Sequence, residues 1–257
     1  MQLVDVHCHL ESDEFTDLDA VIHDAQQAGV VKMLTSSIIP EQWPLSRELA
    51  QRFPSVEFAC GIHPWYIQPA FETALDGLAD ACAGAVAVGE IGLDAKTENV
   101  PMAVQRRFFE RQLEIAKEIH LPVIVHCRGA FDELIHSVRR VGLCPRGGVM
   151  HNFSGSAQLA QQLAAYGFSF SLGGTLTYRN SRKKIDLLRA IYPKWFLLET
   201  DSPDIPPVEA RQRPNVPANI VYNLRAAAEA LGESEESISK HTTENAVEVF
   251  QLSLQEV

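Results

Sequence analysis

Leu3-Val-Asp-Val-His7-Cys8-His9, close to the start of the chain, is the stretch on which the fold reading turns. Residues 3–7 are short and rich in β-branched side chains, which predicts a strand. Successive side chains of a strand alternate in direction, so the imidazoles of His7 and His9 face the same side. If that side is the inside of a barrel, the pair can hold one metal ion while Cys8 turns toward surrounding helices. A chance pair of half-buried histidines is the competing reading.

The same kind of segment recurs. Strands are predicted over residues 3–7, 31–38, 56–62, 85–91, 122–127, 148–151, 168–172 and 195–201, with helical spacing between them. In residues 104–119, Phe109, Leu113 and Ala116 share one face. Residues 157–166 begin after Ser156, a good N-cap, and end before Gly167. A further helix is expected around 218–231, and the tail, 233–257, reads as helix packed outside. Prolines 203, 206, 207, 214 and 217 mark a long loop after the last strand. The repeat of about thirty residues is the size of a βα unit, and eight of them imply a parallel sheet. At 257 residues the chain matches the ~250 of one barrel. The expected class is α/β, a single (β/α)8 TIM barrel of metal-dependent hydrolase type over residues 1–257. An open doubly wound sheet competes, and hydrophobic pattern alone does not separate the two.

Apolar residues make up 46% and charged residues 21%, enough for a sizeable core. A net charge of −11 argues against a non-specific grip on a polyanion, although bound cations can reverse the sign of an acidic pocket. The five cysteines (8, 60, 82, 127, 144) are odd in number and form no C-x-x-C pair. That favours reduced thiols and a cytoplasmic location. The first residues lack the basic start of a signal peptide, and no run reaches the ~20 apolar residues of a membrane span. The chain carries no G-x-S-x-G, P-loop or G-x-G-x-x-G motif. No membrane partner is expected, and the expected state is a monomer or weak oligomer.

Of nine histidines, His23, His120, His136 and His241 fall in helical stretches. His7, His9, His63, His126 and His151 stand at or just past strand C-termini, where barrel active sites are built. Glu90 and Asp201 do too. Glu90 lies in an almost wholly apolar strand, where a carboxylate is costly unless paired or metal-bound; an ion pair with Arg128 is the alternative. Glu199, two residues before Asp201, should face the same way one layer deeper. Cys127 alternates away from His126 and reads as packing. His63 is a candidate for contacting substrate phosphate, and capping a loop is the alternative. Arg128 and the small-residue loops at 152–156 and 172–175 could donate to an anion.

Four imidazoles and two carboxylates exceed what one catalytic zinc takes from a protein. They suit two divalent ions about 3.5–4 Å apart. His7, His9 and Asp201 would hold one and His126 and His151 the other, with Glu90 bridging. Asp201 and Glu90 are the catalytic candidates, acting through a metal-activated hydroxide whose proton Asp201 relays. Mixed nitrogen and oxygen donors fit Zn, Mn, Co, Fe or Mg.

The motifs also carry a resemblance. Asp5-Val-His-Cys-His-Leu10, Gly61-Ile-His-Pro64, Gly89-Glu-Ile-Gly-Leu-Asp94, Pro122-Val-Ile-Val-His-Cys-Arg128, His151-Asn-Phe-Ser-Gly155, Glu199-Thr-Asp-Ser-Pro203 and Pro214-Asn-Val-Pro217, in this order, resemble the TatD-type metal-dependent deoxyribonucleases, within the amidohydrolase-like metal hydrolases. Gly173-Gly-Thr-Leu-Thr-Tyr178 resembles their YjjV-type branch. The resemblance implies a TIM barrel, metal at the six positions above, and hydrolysis of DNA phosphodiesters, with attack from a 3′ end among its implications. It also implies substrate-binding roles for His63, Arg128 and Asn215. The chain departs after Asp94, where many relatives continue with aromatic residues and this one has Ala95-Lys96-Thr97. Two other readings keep the metals: hydrolysis of a small amide, lactone, phosphoester or aminoacyl ester, and a metal-binding barrel without catalysis.

Overall fold

The computed structural model describes residues 1–178, 182–211 and 214–254. Its strands are β1 (Leu3–Cys8), β2 (Val30–Ser36), β3 (Val56–Cys60), β4 (Ala87–Asp94), β5 (Val123–Arg128), β6 (Gly148–Met150), β7 (Phe168–Leu172) and β8 (Phe196–Leu198). Each pairs in parallel with the next, and the spatial order is the chain order. A doubly wound sheet would reverse order at a switch point; this one does not. The last strand instead returns to the first. Asp201 N donates to His7 O at 3.0 Å, and His9 N donates to Ser202 O at 2.7 Å. Beneath them the Asp5 carboxylate accepts from the Thr200 backbone at 2.9 Å and hydroxyl at 2.5 Å. These bonds stitch the seam and fix the height of Asp201 against the His7/His9 pair.

The helices are α1 (Leu18–Gln27), α2 (Trp43–Arg52), α3 (Leu78–Ala81), α4 (Met102–Glu118), α5 (Phe131–Val141), α6 (Ala157–Ala164), α7 (Arg182–Ile191), α8 (Ile220–Leu231) and α9 (Glu235–Phe250). In α4 the expected face is buried: Phe109, Leu113 and Ala116, together with Phe108. The Ser156 hydroxyl caps α6 by accepting from Leu159 N at 3.2 Å.

Two apolar shells result. Outward-facing strand residues such as Phe58, Ile91, Phe170 and Phe196 pack with the helices. Val4, Val6, Leu34, Ala59, Ala87, Ile124, Val149 and Leu197 form a separate cluster, and side chains from seven strands can meet only inside the barrel. Ala246, Val249, Phe250 and Leu252 belong to that inner cluster. The tail therefore corrects the expectation of a helix packed outside: the end of α9 stoppers the barrel floor. The sequence announced a helix here, not which end of the barrel it would meet. Residues 255–257 of the expected tail lie outside the described residues. No helix among the described residues is long and apolar enough to cross a membrane.

Candidate active site

Five strands deliver the reactive side chains to one mouth. His7, Glu90 and His126 lie within β1, β4 and β5; His9, His151 and Asp201 follow β1, β6 and β8. Glu90 is central and 2% exposed. Its Oε2 lies 3.4 Å from His7 Nε2 and 3.6 Å from His9 Nε2. Its Oε1 lies 3.3 Å from His126 Nδ1, 3.6 Å from His151 Nε2 and 3.4 Å from His63 Nε2. Asp201 Oδ1 is 3.5 Å from His7 Nε2, 3.6 Å from His9 Nε2 and 4.0 Å from His151 Nε2. The ion-pair partners of Glu90 among the described residues are imidazoles, and Arg128 is not one of them.

Local backbone makes this convergence sterically feasible. Gly92 opposes His126 in the ladder between β4 and β5, has φ +151°, and a Cβ there would lie 1.9 Å from His126 O. A side chain would force apart the strands that carry Glu90 and His126. Asp201 has φ +58°, a left-handed conformation that Asp and Asn tolerate better than other non-glycine residues.

Each metal-ligand candidate among the imidazoles is oriented from behind. His9 Nδ1 donates to Ser36 O at 2.8 Å, which leaves the Nε2 lone pair for the centre. His151 Nδ1 is 3.2 Å from Glu199 Oε2, and Glu199, fully buried, also accepts from Asn152 N at 2.8 Å and the Ser171 hydroxyl at 2.5 Å. His7 Nδ1 lies 3.2 Å from Ser36 Oγ. His126 Nε2 is 3.1 Å from Asp94 Oδ2, which leaves Nδ1 facing inward. Carboxylate or carbonyl support of this kind is how metal-ligating histidines are held.

The centre also demands positive charge. Burial pushes Glu90 up, but the surrounding His63, His151 and His7 imidazoles and the His126 hydrogen bond outweigh it and hold the carboxyl well below the usual range. Asp201 is likewise held down, burial being overcome by His151, His9 and His7. In return, despite burial, Asp201 and Glu90 lift His9 to about 9, and Asp201, Glu199 and Glu90 lift His151 to about 10. His7 goes the other way, lowered by burial and by His151, and its buried Nε2 makes no hydrogen bond. A buried nitrogen without a hydrogen bond, 3.4 and 3.5 Å from two carboxylates, fits a cation. The groups His7/His9/Asp201 and His7/Glu90/His151 each bring ligand atoms within 4.8 Å of one another.

His63 differs from the other four. Its Nδ1 accepts from Trp65 N at 3.2 Å, so the neutral ring carries its proton on Nε2 and acts as a donor toward the centre. Although His63, Glu90 and His126 are also close enough to hold an ion, this tautomer argues for a donor. Arg128, exposed at the end of β5, lines the same cavity of about 510 Å³. Asn215 does not. It is fully buried; its amide donates to Thr200 O and Asp204 O at 3.0 and 2.8 Å and accepts from Val216 N and Asn219 Nδ2 at 3.0 and 2.7 Å. The substrate role expected of it gives way to bracing the proline-rich loop. In the 152–156 loop, a candidate source of donors for an anion, the Asn152 N–H is spent on Glu199. Burial pushes the Cys127 thiol up to about 12, which removes it as a thiolate nucleophile at neutral pH.

Two features were not anticipated. Asp94, fully buried, joins His126 to Trp65 by accepting from Trp65 Nε1 at 2.6 Å. Trp65 and Tyr178 line the cavity. Same-parity spacing of Glu90 and Asp94 along β4 was the available signal for Asp94; the loop aromatics gave none.

The family described as TatD related DNase matches residues 4–251. The chain belongs to the TatD family. As a TatD-family metal-dependent hydrolase it is 33% identical over 254 residues to the uncharacterized metal-dependent hydrolase YjjV of Escherichia coli K12, covering 97% of this chain and 98% of that protein. It is 31% identical over 254 residues to the uncharacterized metal-dependent hydrolase YabD of Bacillus subtilis, covering 98% and 100%. The crystal structure of the TatD homologue YjjV from E. coli matches with a TM-score of 0.92 at 32% identity over 98% of both chains. A TatD-family hydrolase from Entamoeba histolytica, at 19% identity, covers 97% and 98% with a TM-score of 0.83 and shares the fold.

Proposed function

We propose that this hydrolase is a deoxyribonuclease that cleaves DNA phosphodiester bonds with two divalent cations held around Glu90. The observation that carries the proposal is the division of the Glu90 carboxylate, Oε2 toward His7 and His9 and Oε1 toward His126 and His151. His7, His9 and Asp201 would hold one cation and His126 and His151 the other, with Glu90 within reach of both; Zn, Mn, Mg, Co and Fe all suit these donors. When bound, such ions supply Lewis acidity toward phosphoryl oxygens and lower the pKa of water. Asp201 accepts the proton of the attacking water, and its Oδ1 already faces three imidazoles that can share the charge. His63 Nε2–H and the Arg128 guanidinium, both lining the cavity, donate to the phosphate oxygens. A relative from Danio rerio, 31% identical over 269 residues, carries a provisional name as a deoxyribonuclease.

The test is cleavage of single-stranded and duplex DNA by purified protein with Mg, Mn or Zn. Cleavage should vanish with EDTA and fall about 10²–10⁴-fold in Asp201→Asn. Asn tolerates the left-handed backbone of Asp201, so an unchanged melting curve separates chemistry from folding. Absence of cleavage with every metal overturns the proposal. Asp201 and Asp204 in the cavity lining favour a second reading, a small ester, lactone or amide as substrate. Turnover of such a panel, with DNA left intact, would decide for it.

A further inference from the structure

Trp65 is the most conspicuous side chain of the site that the hydrolytic chemistry leaves unused. It is 39% exposed, yet it is not loose. Its indole N–H is spent on Asp94 at 2.6 Å. The His63 and His126 rings meet it at near right angles, with centroids 5.0 and 5.5 Å away and interplanar angles of 87° and 72°. The orientation of the indole is therefore fixed while much of its surface stays open to the cavity it lines. Tyr178, also 39% exposed, lines the same cavity, its hydroxyl donating to Pro206 O at 3.0 Å. Trp65 follows β3 and Tyr178 follows β7. Four strands apart in an eight-stranded barrel is half a turn, so the two rings flank the mouth from opposite sides.

We propose that Trp65, with Tyr178 across the mouth, is the platform on which a nucleobase of the substrate stacks, so that a base beside the scissile phosphate is selected by its π-face. The proposal rests on the nuclease reading and names the part of the substrate that reading leaves open. An immobilised aromatic ring with an exposed face is what base stacking uses, and it tolerates sequence because every base has such a face. It also accounts for recognition in a cavity whose wall includes Asp201 and Asp204, where a base gains what a polyphosphate would not. The side chains of Ala95 and Lys96 offer no aromatic face at the end of β4; Trp65 occupies that side of the site through its bond to Asp94.

Binding of dAMP and of deoxyribose 5-phosphate to the Mg-loaded protein, by calorimetry and tryptophan fluorescence, tests this without turnover. The wild type should favour dAMP, and Trp65→Ala should erase about 5- to 150-fold of that preference, the range for losing one stacked base. Trp65→Phe keeps a ring but loses the N–H to Asp94. It should retain most of the preference, whereas an effect relayed through Asp94 and His126 would appear equally in both variants. Equal affinity for the two probes, absence of binding, or an unchanged preference in Trp65→Ala overturns the platform. DNA cleavage combined with equal probe affinities would overturn the platform and leave the nuclease intact. Trp65-dependent dAMP binding without DNA cleavage would do the reverse.

Discussion

Glu90 and Asp201 are 2% and 7% exposed, and two carboxylates so deeply placed need positive charge close by. Protons on His9 and His151 supply it when no cation does, which is why these rings are lifted from 6.5 to about 9 and about 10. The sign of the linkage follows. A basic group raised in the folded state stabilises fully below its unfolded value of 6.5 and loses that contribution as pH climbs through its folded value. EDTA-treated protein should therefore lose thermal stability from pH 6.5 toward 10, over the window set by those two rings. Cation-loaded protein should hold its Tm over the same window, because the charge at Nε2 then does not titrate. His7 and His63, lowered by burial, act oppositely and cost stability below 6.5. Melting curves across this range with EDTA and with Mn check it, and parallel curves would contradict it. Metal affinity should rise over the same interval as the protons leave.

At the scale of elements, the approach of β4 to β5 is the critical contact, and Gly92 makes it feasible. Gly92→Ala should cost on the order of 3 kcal/mol or more, since the new Cβ meets a backbone carbonyl at 1.9 Å and cannot rotate away. Metal affinity should fall with it, because Glu90 and His126 lie on the two strands being separated; urea unfolding and a metal titration on the same sample measure both. This contact was invisible in the sequence, where Gly92 is simply one of fifteen glycines. The strands themselves were legible because each is short, apolar and bounded by breakers: residues 168–172 coincide with β7, and each of the eight expected segments overlaps one strand. Strand ends were less so. Asp201 lies past β8, which ends at Leu198, because the chain there leaves β7 and turns to bond with β1. The mouth-facing His and carboxylate residues were legible from strand-end position. The buried role of Asn215 was not, since its four partners lie in and around a loop whose path is set by tertiary contacts. The Trp65–Asp94 bond spans 29 residues between two elements and leaves no local pattern.

For the whole molecule, the decisive arrangement is polarity. The inner apolar cluster fills the lower barrel and α9 closes it with Phe250, 1% exposed, so the reactive cluster opens in the other direction only. Floor and mouth share the strands, and no ligand candidate belongs to the inner apolar cluster of the described residues. Phe250→Ala should thus cost about 3–5 kcal/mol through the cavity it leaves. For a chain of this size that corresponds to a Tm lower by on the order of 10 °C. Metal affinity, read on the folded protein well below the new Tm, should stay within a few-fold of wild type, in contrast to Gly92→Ala, which damages both properties together. The pair of variants separates a barrel whose stability and chemistry reside at opposite ends from one in which the floor sets the geometry of the mouth. A Phe250→Ala protein that kept its Tm, or lost its metal while folded, would show that α9 does not act as a stopper.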